Sequence, residues 1–213
     1  MTRTIIILLL LLLSWSGSAQ QTERKNLIIT AVPQHILNNA IRFEIDVPMS
    51  NQSRWLTVAP QFFYRAEDMD GAFDHPDYNK LIGAEIDMLS RKYLLSETDG
   101  TGFYYSYGGG YRFLKINTSN HLWQKSPDEE LDWYRLNYAQ YNINIHGINA
   151  KFLTGYQMTL YDNMVADAYI GFGLRYSFLD APEGNFLKFN RNVNDYAYRG
   201  MLLVGGLRIG LGW

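Results

Sequence analysis

The chain of 213 residues contains no cysteine. A secreted domain of this sequence therefore has no disulfides and must be held by burial and by ladder hydrogen bonds. The same absence excludes a lipid anchor on an N-terminal cysteine. Long apolar runs are also missing. No stretch after Leu13 is apolar for the ~18 residues that would indicate a spanning helix, so a transmembrane helix is excluded. Charge of one sign is scarce as well: the net charge of −2 gives no reason to expect a nucleic-acid partner. Helical spacing is hard to find anywhere in the chain. The mean hydropathy of −0.22 does not imply a soluble protein, because strands that alternate apolar and polar residues average out as mildly polar.

What is present begins with a targeting pattern. Arg3 is followed by the apolar run Ile5–Leu13 and then by Ser16, Gly17, Ser18 and Ala19. A positive start, a short apolar core and a small-residue end predict a cleaved signal peptide over residues 1–19. That core is too short for the ~20 residues of a spanning helix. Residues 20–213 are then the mature domain.

That domain repeats one pattern, a stretch of period two followed by a turn. In the last stretch Met201, Leu203, Gly205, Leu207, Ile209, Leu211 and Trp213 share one face, opposite Leu202, Val204, Gly206, Arg208, Gly210 and Gly212. Before it, Ala168, Ile170, Phe172, Leu174, Tyr176 and Phe178 oppose Asp167, Tyr169, Gly171, Gly173, Arg175 and Ser177. Further strands are predicted near 139–160, 102–115, 80–92, 54–65, 39–48 and 26–33, giving eight. Short turns follow strands two, four and six. Longer segments, about 66–79, 116–138 and 179–198, follow strands three, five and seven, an asymmetry expected of outer-membrane barrels. Two places resist the scheme. Pro60 lies inside the third strand and predicts a bulge or a place near the rim. Tyr141, Ile143 and Ile145 are out of phase with Ile148, Ala150 and Phe152, which a one-residue bulge at His146–Gly147 would repair.

Alternation alone does not say which face is inside, and a periplasmic lipocalin-like barrel also alternates. Size separates the two. An eight-stranded interior is just wide enough to be filled by side chains, and the Phe, Tyr, Leu and Ile face is bulkier than such a lumen holds comfortably. The polar face carries both signs of charge: Arg42, Glu44, Asp46, Glu85, Asp87, Arg112, Lys151, Asp167, Arg175 and Arg208. It also carries Gly108, Gly110, Gly171, Gly173, Gly206, Gly210 and Gly212, which would weaken exposed strands and inside a narrow barrel would make room for arginines. The expected architecture is all-β: an eight-stranded antiparallel transmembrane barrel with an internal salt-bridge network.

The end of the predicted leader, "SAQQ", the segment "GINAKFLTGYQMTLYDNMVADAYIGFGLRYSF" and the terminal "LLVGGLRIGLGW" resemble small outer-membrane β-barrels of Bacteroidota, of the OmpX and OmpA-barrel type. The resemblance implies an outer-membrane location and surrounding outer-membrane lipid. It also implies an encounter with the barrel-assembly machinery during biogenesis. Leu207, Ile209, Leu211 and Trp213 are similar to the terminal signal that machinery reads; Gly205 departs from it. Fold and location follow from the resemblance more than activity does.

Candidate chemistry is thin, and no cofactor motif is present. The acidic stretch with Glu67, Asp68, Asp70, Asp74 and Asp77 offers oxygen ligands suited to calcium. Its glycine is misplaced for the D-x-[DN]-x-[DN]-G loop, so a solvated acidic loop is the plainer reading. Trp123, Trp133, Tyr134, Phe186, Phe189 and Tyr196 lie in the long connections. They either form a surface for a protein partner or a glycan, or pack on one another and at the lipid interface. Two lipid A-modifying enzyme types use eight-stranded barrels; a deacylase site here would be His146 with Ser106 and Glu85, without a supporting motif. A non-enzymatic structural or interaction role, presenting the loops to a partner or as accessory subunit of a larger outer-membrane complex, is expected ahead of a narrow pore or such an enzyme.

Overall fold

The computed structural model describes residues 25–49, 53–66, 79–94, 100–125, 134–181, 189–190, 192–193 and 195–213. The predicted signal peptide and the acidic stretch holding Asp68, Asp70, Asp74 and Asp77 lie outside these residues. Eight strands follow one another: β1 (Ile28–Ala31), β2 (Ala40–Pro48), β3 (Arg54–Arg65), β4 (Lys80–Tyr93), β5 (Gly102–Lys125), β6 (Tyr134–Tyr161), β7 (Met164–Asp180) and β8 (Gly200–Gly212). Each pairs antiparallel with its neighbours, and β1 pairs with β8, closing the sheet into a ring. The seam extends one pair further: Leu27 N donates to Trp213 O at 2.9 Å and Trp213 N to Leu27 O at 2.8 Å.

Alternation turns one face of each strand inward. Ile82, Ile86 and Met88 on β4, Ile148 and Phe152 on β6, Ile170, Phe172 and Leu174 on β7, and Leu203, Leu207 and Ile209 on β8 are exposed on the outer face. Glu44, Asp46, Glu85, Asp87, Arg91, Asp167 and Arg208 are buried inside. The charged face is therefore the inner one, as the glycine and charge pattern predicts.

Neither predicted bulge forms. β5 and β6 keep one register from Gly102↔Gln157 to Lys125↔Tyr134, and the shift in β6 comes instead between Thr159 and Tyr161, beside the hairpin turn. The change of phase near His146 is a change of surroundings. Toward the long-loop end Leu114, Ile116, Tyr141, Ile143 and Ile145 are buried inside while Lys115 and Asn142 are exposed outside. Inner and outer faces exchange polarity along two continuous strands. Pro60 sits mid-strand opposite Ile86 in an unshifted register. Its missing donor is absorbed where the β2 ladder lapses between Arg42↔Gln61 and Ile45↔Val58 and then resumes in step.

Other boundaries differ too. The first strand is shorter than expected, because Pro33 opens a 3-10 turn, Pro33–Asn38, that leaves the wall. The sequence pattern predicts a loop over 116–138. Instead β5 and β6 stay paired through it as far as Lys125↔Tyr134. The ladder from β4 ends at Lys80↔Asn117, and that from β7 begins at Asn144↔Asp180. Among the described residues the two strands thus continue past the ring as a two-stranded ribbon. On the opposite side the wall is low: β8 from Gly200 to Arg208 pairs with β7 alone, since β1 meets it only at Ile209–Gly212.

Candidate functional site: the charged lumen

The lumen is layered. At the short-turn end Ile28, Trp55, Leu89, Tyr93 and Tyr104 belong to one apolar cluster. At the long-loop end Phe63, Leu81, Ile116, Ile143 and Ile145 belong to another, covered by Phe189 and Ala197 of the segment before β8. The charges lie between these two caps.

Arg91 is at the centre of the deeper half. Its Nη1 donates to Asp46 Oδ2 at 2.9 Å and to Gln157 Oε1 at 3.0 Å, and its guanidinium lies 4.5 Å from the Tyr104 ring centre. Thr57 Oγ1 donates to the other Asp46 oxygen at 2.5 Å. Arg208 Nη1 reaches both Asp167 Oδ2 and the Tyr104 hydroxyl at 2.6 Å. Its Nε is 2.7 Å from Glu44 Oε2, an ion-pair approach without hydrogen-bond alignment. The Tyr104 hydroxyl in turn donates to Asp167 Oδ1 at 2.8 Å. These strand-borne groups interlock across the lumen, β2 with β4, β4 with β6, and β5 with β7 and β8.

The shallower half is held by Asp87 and Glu85. Arg42 Nη1 and Lys151 Nζ each donate to Asp87 Oδ2 at 2.6 Å. Arg42 Nε also reaches Glu44 Oε1 at 3.1 Å, which links the two halves. Glu85 accepts from Arg112 Nε at 2.5 Å and from Lys151 Nζ and Asn149 Nδ2 at 3.1 Å. Charges this deeply buried are tolerable because they are paired and multiply hydrogen-bonded.

All ten charged residues expected inside do face the lumen side of their strands, and nine of them share the ion-pair web. Arg175 is the exception. It has no hydrogen bond or ion pair among the described residues, although Glu85 and Asp87 lie near enough to act on it electrostatically. The sequence reading missed Arg91, which continues the inward parity of Glu85 and Asp87 beyond Leu89. It also missed Tyr104, Gln61 and Gln157, neutral members that no charge pattern reveals.

Four of the inner glycines, Gly108, Gly171, Gly206 and Gly210, have a different role from the one expected. The atoms nearest to the space beside Gly108, Gly171 and Gly210 belong to the neighbouring strands' backbone, and those beside Gly206 to Gln34; none is an arginine. Strands approach closely there, which a narrow lumen requires.

The other candidates separate. His146 points outward and hydrogen-bonds the Tyr111 hydroxyl at 2.6 Å, whereas Ser106 and Glu85 are buried inside. The wall stands between them, so they form no catalytic group. Phe189 is buried and Tyr196 packs half-buried against the same upper cluster. They cover the lumen instead of forming an exposed surface. Phe186 and Trp133, with the side chains of Trp123 and Tyr134, lie outside what is described. Leu207, Ile209, Leu211 and Trp213 are exposed along the outer face of β8. Among the described residues no three metal-ligating side chains of His, Cys, Asp or Glu come together. No family model, curated protein or solved structure matches this chain.

Proposed function

We propose that the protein is an outer-membrane β-barrel with a non-enzymatic role, presenting the β5–β6 ribbon to a partner at the cell surface. The observation that carries this reading is the distribution of polarity. The outer face of β7 from Met164 to Phe178 has no charged side chain, while the lumen beneath it holds the buried charges. A water-facing protein seldom exposes an apolar band that runs round its whole wall. A bilayer is the solvent in which that arrangement is stable. Lys115 and Asn142 would mark where the outer face leaves the hydrocarbon.

In this reading outer-membrane lipid surrounds the band, and the barrel-assembly machinery inserts the chain through its terminal strand. The ribbon supplies the interaction surface, for a protein partner or a glycan. Among the described residues the ladders from β4 and β7 do not extend along it beyond Asn117 and Asn144, and the edge of a sheet is where a further strand can add. Tyr138 and Leu136 stand exposed on it. The pore reading is disfavoured by the apolar caps at both ends of the lumen. The enzyme reading loses its candidate residues to opposite sides of the wall.

Gel mobility of detergent-folded protein, unheated and heated, tests the membrane part. The expected result is a compact band that shifts on heating. A band unaffected by heat, from protein that stays soluble without detergent, would overturn it. Pull-down with the intact protein and with a ribbon-deleted form then tests the surface: equal capture by both removes the ribbon's role.

A further inference from the structure

The low side of the wall and the charged lumen meet at one cavity. Between the 3-10 turn Pro33–Asn38 and β8 lies a space of about 580 Å³, within the range of small-ligand sites. Its walls include Leu202 and Val204 from the inner face of β8 and Leu203 and Gly205 from the outer face. Successive strand residues point to opposite sides of a sheet. A cavity lined by both sets lies at the free edge of β8, where β1 has already ended.

The polar side of this cavity is cationic. Arg112, Lys151 and Arg175 line it together with Glu85. Arg112 and Lys151 already engage Glu85, and Lys151 shares Asp87 with Arg42. Asp195 also lines it, and its Oδ2 accepts from Asn192 N at 2.9 Å. Arg175 is left over: Arg42, Arg91, Arg112, Lys151 and Arg208 each pair with a lumen carboxylate, whereas Arg175 has no hydrogen bond or ion pair among the described residues. A largely buried guanidinium without a bonded counter-ion is costly, and its planar donor fork suits an oxyanion.

We infer that this cavity is a binding site for an oxyanion, a phosphate or carboxylate, held by Arg175 between Arg112 and Lys151. An apolar chain attached to the anion leaves along Leu202 and Leu203 through the seam beside β8. The group arrives either as a lipid headgroup from the surrounding membrane or as a free anion. The site rests on the lumen geometry and is independent of what the ribbon binds.

The test is a ¹H–¹⁵N titration of the protein folded in neutral detergent, with inorganic phosphate in one arm and dihexanoyl phosphatidic acid in the other. Saturable shifts are expected at the Leu203 and Gly205 amides and at Arg175 Nε–H with at least one probe. Arg175→Gln should weaken binding by about tenfold or more, the loss of a charge-assisted hydrogen bond, and Arg175→Lys should retain part of it. Saturation by both probes identifies a soluble oxyanion as sufficient. Saturation by the lipid alone identifies a headgroup. Each variant is first checked for the heat-shifted band of the closed ring. If Arg175→Gln does not close, Leu202→Trp, which fills the cavity, replaces it and should abolish the shifts. Absence of saturable shifts in folded protein, or unchanged affinity in the folded variant used, overturns the site.

Discussion

The side-chain amide of Gln34 occupies the space that a Cβ on Gly206 would need, and from there it donates to the Tyr169 hydroxyl at 3.2 Å. This bonds the 3-10 turn to β7 and packs it on β8, at a height where β1 is absent. Gly206→Ala should displace the Gln34 head and break that bond, lowering stability by about 1 kcal/mol. Gly210→Ala should be worse. Its Cβ would meet backbone of β1 at Ile29 and Thr30, so the strand that closes the ring must move. Overpacking of that kind costs ~1–3 kcal/mol. Urea midpoints of both variants in one detergent check the order; a reversed order would mean the turn, not the strand, holds the closure.

Arg91 offers the sharpest test of the lumen web. Replacing it with Met leaves Asp46 without its guanidinium and strips Glu44 of a neighbour at 3.5 Å. Losing one partner of a buried pair typically costs ~3–5 kcal/mol. Arg91→Met combined with Asp46→Asn should recover part of that loss, because the uncompensated charge is gone. Equilibrium unfolding of the two variants measures the difference. Equal destabilisation would show that packing, and not charge, is what Arg91 contributes.

The sequence carried the strand count, the parity and the identity of the inner charges, because period two is a local property. What it hid depends on neighbours distant in the chain. A bulge at His146 follows from the local pattern only if the inner wall stays polar along its whole length. The segment holding Phe189 and Ala197 folds down onto Tyr141, Ile143 and Ile145 and makes the upper lumen apolar. The early end of β1 was signalled by Pro33, yet nothing local told that the following turn would enter the lumen. Parity alone groups Arg175 with the paired charges. Its lack of a bonded partner emerges only from three-dimensional positions.

His35 provides a pH dependence. It lies in the 3-10 turn and lines the cavity. Burial, aided by the Arg42 and Lys151 cations and opposed by Glu85 and Glu44, lowers its imidazole from 6.5 to about 4. Between those values the unfolded chain holds more protons than the folded one, so stability due to this group falls as pH falls from about 6.5 toward 4. Below that window its contribution changes no further. The ring proton shifts of His35 should titrate with a midpoint below 5, and His35→Asn should flatten the loss of stability across the window. A midpoint near 6.5 would place the ring in water and the turn outside the lumen.

The absence of cysteine makes the proposed orientation directly measurable. Tyr138 is exposed on the ribbon, and Leu94 is exposed at the short-turn end beyond β4. If the long-loop end faces outward, Tyr138→Cys should react in intact cells with a maleimide too large for outer-membrane pores. Leu94→Cys should react only after the membrane is opened. Both substitutions lie on exposed side chains away from the ion-pair web, so both proteins should retain the heat-shifted band. The opposite pattern would invert the protein in the membrane and remove the ribbon from the cell surface. Equal labelling of both in intact cells would mean that no membrane separates them, and the apolar band would then need another cover.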